Sequence, residues 1–101
     1  MELDAVKLDP KHYTVEFENE QVRVLRIRYG PGETSVMHEH PEAVAVFLTD
    51  GRNSFSYPDG STEEVSFKAG DVQSFPAVRH NPRNLGDERF ELVLVELKAK
   101  R

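Results

Sequence analysis

Apolar and polar residues alternate along this chain in short runs closed by turn signals, and no window of helical length repeats apolar residues at spacings of three and four. The pattern predicts strands over His12–Phe17, Gln21–Tyr29, Ser35–His38, Ala43–Leu48, Asn53–Tyr57, Thr62–Phe67, Val72–Phe75 and Phe90–Lys98. Eight short strands suit two packed sheets in an all-β domain. Asp50-Gly51 and Asp59-Gly60 predict two successive hairpins, because glycine accepts the positive φ that such turns demand. Gly30-Pro31-Gly32 and Gly70-Asp71 mark further breaks, and Asn81-Pro82-Arg83-Asn84 with Gly86-Asp87 brackets a loop before the last strand.

The run from Gln21 to Tyr29 departs from simple alternation. Val22 and Val24 fall on one face and Leu25, Ile27 and Tyr29 on the other. A bulge or a strand shared between two sheets accounts for this, and so does an outer face covered by a second subunit.

The 101 residues suffice for one core and are too few to divide, so residues 1–101 are read as one domain. Apolar residues make up 38% and charged ones 31%, a balance that supports a folded globule. The net charge is -5 and the basic residues are scattered singly, which argues against nucleic acid or an anionic membrane as partner. A small molecule or another protein, including a second copy in a homodimer, fits better. With no cysteine, any metal must be held by nitrogen and oxygen. An acidic start where a signal peptide would be apolar, and no run of about 20 apolar residues, read as cytoplasmic.

Chemistry concentrates between Gly32 and Gly51. His38 and His40 flank one residue on an extended chain, so both imidazoles project from one face with Cα atoms about 6.5 Å apart, while Glu39 faces away. Such a pair suits a shared metal ion, and equally two exposed or structurally hydrogen-bonded histidines. The surrounding spacing resembles the cupin family, whose first motif reads Gly, five residues, His-x-His, three or four residues, Glu, six residues, Gly. Gly32, His38, His40 and Gly51 match it. The second motif reads Gly, five residues, Pro-x-Gly, two residues, His, three residues, Asn, and the chain offers Gly70, Pro76, His80 and Asn84.

The resemblance implies a double-stranded β-helix, or jelly-roll barrel, with a divalent transition metal held by His38, His40 and His80. Val44, Val46, Phe55, Phe67, Phe75, Leu92 and Leu94 are then expected to fill the barrel. Two departures matter. The family's glutamate ligand falls at position 44, which is valine, with Glu42 and Gln73 as the nearest substitutes. Val78 replaces the motif glycine, and the loop before His80 is one residue tighter. Asn84 is expected to tie down its loop through backbone hydrogen bonds, His12 to have a surface or packing role, and Arg79 and Arg83 to pair with acids or bind an anion at the mouth.

Nitrogen-only ligation favours Zn, Ni, Fe(II) or Cu over Mn. One reading is a metal-dependent small-molecule enzyme of dioxygenase or isomerase type, with Glu42, Tyr57 or water carrying protons. The other is a ligand-binding or structural cupin that has lost catalysis along with its carboxylate.

Overall fold

A computed structural model describes residues 2–99. One helical turn, α1 (Ala5–Leu8), precedes nine strands: β1 (Tyr13–Glu18), β2 (Val22–Tyr29), β3 (His38–His40), β4 (Ala43–Phe47), β5 (Gly51–Ser56), β6 (Thr62–Phe67), β7 (Val72–Phe75), β8 (Val78–Asn84) and β9 (Phe90–Leu97). They form two antiparallel sheets, ordered β1-β2-β9-β4-β7 and β3-β8-β5-β6. Among the described residues no helix is long and apolar enough to cross a membrane.

Period-two alternation decides what enters the space between the sheets. Leu25, Ile27 and Tyr29 of β2, Ala43, Ala45 and Phe47 of β4, and Phe90, Leu92 and Leu94 of β9 are buried there, joined by Phe67 of β6. Each large side chain taken fully out of water stabilises the fold by about 1.5–3 kcal/mol. Val44 and Val46, expected inside, instead share registers with Val95 and Val93 on the outer face of the larger sheet. The two faces of β4 are both apolar, so hydrophobicity alone could not choose between them.

β2 stays in one sheet and carries no bulge against β9, pairing without interruption from Val22↔Leu97 to Tyr29↔Phe90. The irregularity lies in its other neighbour, where β1 bulges between Val15 and Phe17. Asp59-Gly60 closes the β5–β6 hairpin as expected, with Gly60 at φ 87. Asp50-Gly51 does not close a hairpin, because β4 and β5 belong to different sheets and the chain crosses between them there. Gly51 is required for room, since a Cβ would run into the Phe67 ring.

The segment 81–84, expected as a loop, is the end of β8. Pro82 is tolerated because proline costs a strand only its N–H, and Pro82 still accepts at its carbonyl from Ser35 N. Expected strand Ser35–His38 begins later, at His38.

Candidate metal centre

β3 is short, and its value to the molecule lies in its register. His38 pairs with His80 and His40 with Val78 of β8, so the two β3 histidines and His80 share the inner face at one level of the barrel. One ligand atom from each lies within 4.8 Å of the others. The rings stand nearly perpendicular, with centroids 4.8, 5.0 and 5.5 Å apart and interplanar angles of 79°, 89° and 82°. Three nitrogens bound to one ion lie about 3.4 Å apart, so the three rings are near the spacing that would hold an ion, with other positions left for further ligands.

The hydrogen bonds around the rings set their tautomers. His38 Nδ1 lies 2.8 Å from the Val36 carbonyl, to which it must donate, leaving the Nε2 lone pair free. His40 Nδ1 lies 2.7 Å from Glu96 Oε2. Glu96 is 2% exposed and also accepts from Arg23 Nε at 2.7 Å, while Arg23 grips Asp4 through both Nη atoms at 3.0 and 2.8 Å. Asp4 in turn accepts from Val6 N at the start of α1, and Glu39 N donates to Leu3 O, so the N-terminal segment braces β3 from behind. A buried carboxylate that orients an imidazole is the usual support of a metal-binding histidine. Phe55 stacks on His80 at 4.8 Å.

The Nε2 atoms of His38 and His80 are buried without a hydrogen-bond partner. Leaving such a nitrogen unsatisfied costs about 1–3 kcal/mol, and one ion would satisfy both. Burial, reinforced by the neighbouring His40, lowers His38 to about 4; burial and the other two histidines lower His80 to about 3. These two rings are therefore neutral near neutrality, the form that ligates. Burial pushes the Glu96 carboxyl upward, but hydrogen bonds from His40 and Arg23 outweigh it and hold it below the ordinary value.

Among the described residues the cluster contains no carboxylate. Glu42 is exposed and does not join the cluster. Val44 faces outward, and the inward position beside it is Ala45, which lines the interior opposite Gln73. Counting back from Gly51 therefore selects the wrong face, and the inward residue is too short to coordinate. Gln73 lines the cavity and is itself exposed.

Beside the histidines a cavity of about 450 Å³ runs through the barrel, walled largely by aromatic and aliphatic side chains. Tyr57, at this cavity, donates to Glu63 at 2.7 Å. Asn84 ties its loop as expected, donating to the carbonyls of Gly30 and Glu88 and accepting from Gly86 N. His12 is packed inside, stacked on Tyr29 at 4.1 Å and held between Asp9 and Glu33. Arg79 pairs with Glu39 at 2.7 Å, and Arg83 is exposed.

Sequence reasoning did not single out Glu96 or Arg23, although a signal was present. Arg23 shares the phase of Leu25, Ile27 and Tyr29, and Glu96 that of Phe90, Leu92 and Leu94, so each places a charge on an inward face. They are also register partners.

Comparison with known proteins agrees with this architecture. The sequence model of the Cupin domain family matches residues 25–96. This chain belongs to the cupin family. A cupin domain from Bordetella pertussis Tohama I is 32% identical, with 86% of this cupin and 92% of that chain covered at a TM-score of 0.79. A cupin 2 conserved barrel domain protein from Salinispora arenicola is 27% identical, covering 91% and 80% respectively at 0.63. An RmlC-like cupin with a double-stranded β-helix fold from Methanocaldococcus jannaschii, 19% identical over 88% and 83%, shares the fold at 0.63. No protein of curated function matches this cupin.

Proposed function

We propose that this cupin binds one divalent transition-metal ion through the Nε2 atoms of His38, His40 and His80, and acts on a small molecule held in the adjoining cavity. The observation that carries the reading is the pair of buried, partnerless Nε2 atoms on His38 and His80, converging beside a third imidazole whose Nδ1 is engaged by Glu96. Nitrogen-only ligation favours Zn, Ni, Fe(II) or Cu over Mn. A bound ion would supply Lewis acidity or, for Fe or Cu, redox chemistry, with positions left open because the chain provides three ligands.

The chain's own residues would do the rest. Glu96 and the Val36 carbonyl hold two imidazoles in the ligating tautomer. Phe47, Phe55, Phe67 and Phe90 would give the cavity an apolar wall against the substrate. Tyr57, which donates to Glu63 at the cavity wall, would be a group able to exchange a proton with a substrate. Oxygenation or isomerisation of a coordinated substrate suits this arrangement. A non-catalytic ligand-binding module is the competing reading, favoured by the missing carboxylate ligand.

Metal analysis of the purified protein tests the site: about one transition-metal ion per chain is expected, and His38→Ala should lose it. Added metal should raise the melting temperature of the wild type, the shift growing with the logarithm of the ligand excess. No stoichiometric metal and no thermal shift with Zn, Ni, Fe or Cu would sink the proposal. We also propose that two copies associate through the outer apolar face of the larger sheet.

A further inference from the structure

Among the described residues, the cavity is lined by a buried amide that the metal site does not use and that has an unsatisfied oxygen. Asn53, on β5, is 4% exposed and lines the cavity, and its Oδ1 is buried without a hydrogen-bond partner. Its cross-strand neighbours are Val65, which offers no donor, and Asn84, whose amide nitrogen is already committed to the carbonyls of Gly30 and Glu88. The protein thus leaves an unsatisfied amide in the wall of the chamber, beside Phe67, Phe90 and Leu92. Desolvating an amide oxygen without a partner is unfavourable, so the amide's position is that of a group waiting for a ligand.

Its place along the barrel sets the ligand's shape. His80, Pro82 and Asn84 follow one another on the inner face of β8, and Asn53 lies directly opposite Asn84. Asn53 therefore sits four residues from the level of His38 and His80, about 13 Å along the strand. Between the two levels Phe55 stacks on His80 and Pro82 lies opposite Phe55. One end of the chamber is suited to a coordinating group, the middle to a flat apolar body, and the far end to a single hydrogen-bonding group. A hydroxyl serves both ends of an amide, donating to oxygen and accepting from nitrogen.

We propose that Asn53 determines specificity by receiving a hydroxyl of the ligand, whose class is an elongated, largely apolar ring compound with a metal-coordinating atom at one end and a hydroxyl at the other. This rests on the metal reading for the coordinating end, and on the cavity alone for the hydroxyl end.

A matched pair of probes separates the two. The affinities of 1-phenylimidazole and 4-(imidazol-1-yl)phenol, which differ by one hydroxyl, are measured by calorimetry on nickel-treated and on metal-free protein. The phenol is expected to bind the wild type about tenfold more tightly, a difference of about 1.4 kcal/mol. In Asn53→Leu and Asn53→Ala that preference should vanish while the phenyl compound still binds. Equal affinities of the two probes for the wild type would overturn the role of Asn53, whether or not metal is bound. A protein that takes up no nickel, yet prefers the phenol and loses the preference on substitution, would sink the metal reading and leave Asn53 standing. Because Oδ1 has no protein partner, Asn53→Leu should keep or raise the melting temperature; a fall in both variants would assign the amide to the fold and overturn the proposal.

Discussion

Glu96 is the residue on which the candidate site turns, because it accepts from two donors that must both be satisfied. One oxygen faces His40 Nδ1 and the other Arg23 Nε. Glutamine in its place keeps the shape but replaces one acceptor by an NH2 donor, so either the His40 ring changes tautomer or Arg23 loses a bond. Glu96→Gln is expected to weaken metal affinity about 10- to 100-fold, the usual effect of losing such a supporting group. Competition with a chromophoric chelator measures this, and nitrogen NMR shifts of His40 report the tautomer in the metal-free protein. An unchanged tautomer together with unchanged affinity would deny Glu96 this role.

At the level of elements, the crossings between sheets matter more than the hairpins, because they bring β3 and β8 into the register that gathers the histidines. Gly51 stands at one crossing, against the Phe67 ring and close to Phe90 Cβ. Phe67 is itself stacked on Phe47 at 4.3 Å, so displacing its ring disrupts that contact. Gly51→Ala should therefore destabilise the fold by about 1–3 kcal/mol through overpacking. Denaturant unfolding measures the loss, and Phe67→Leu in the same chain should recover part of it if the clash is the cause. The Asp-Gly pair was legible as a turn, but its use was not: the same dipeptide serves a hairpin at Gly60 through positive φ and a sheet crossing at Gly51 through lack of a side chain.

For the molecule as a whole, the outer face of the larger sheet is the surface that the folded chain leaves unexplained. Phe17, Val24, Val95 and Val44 form one row across four strands, with Val93, Val46 and Val72 in the next. Phe17 and Val72 are exposed at 54% and 63%. A second copy laid face to face would bury these rows as sheets do in a sandwich, which supports the proposed homodimer. Light scattering should give about twice the 11.5 kDa chain mass, and Val24→Lys with Val95→Lys should return a folded monomer. A wild-type monomer would remove the dimer from the proposal.

Much of this cupin was readable from residue order alone, because local spacing carries it. Strand periodicity, the turn glycines and the two spaced motifs point to the barrel, and the same motifs mark His38, His40 and His80. Only tertiary structure could decide which face of β4 turned inward, since valine and alanine alternate there with little contrast in polarity. It also turned the Asn81–Asn84 stretch into a strand, because pairing with β5 outweighed the turn signals of Asn and Pro. Glu96, Arg23 and Asn53 acquire their roles from partners far away in sequence or from the lack of one, and such relations exist only once the sheets have closed.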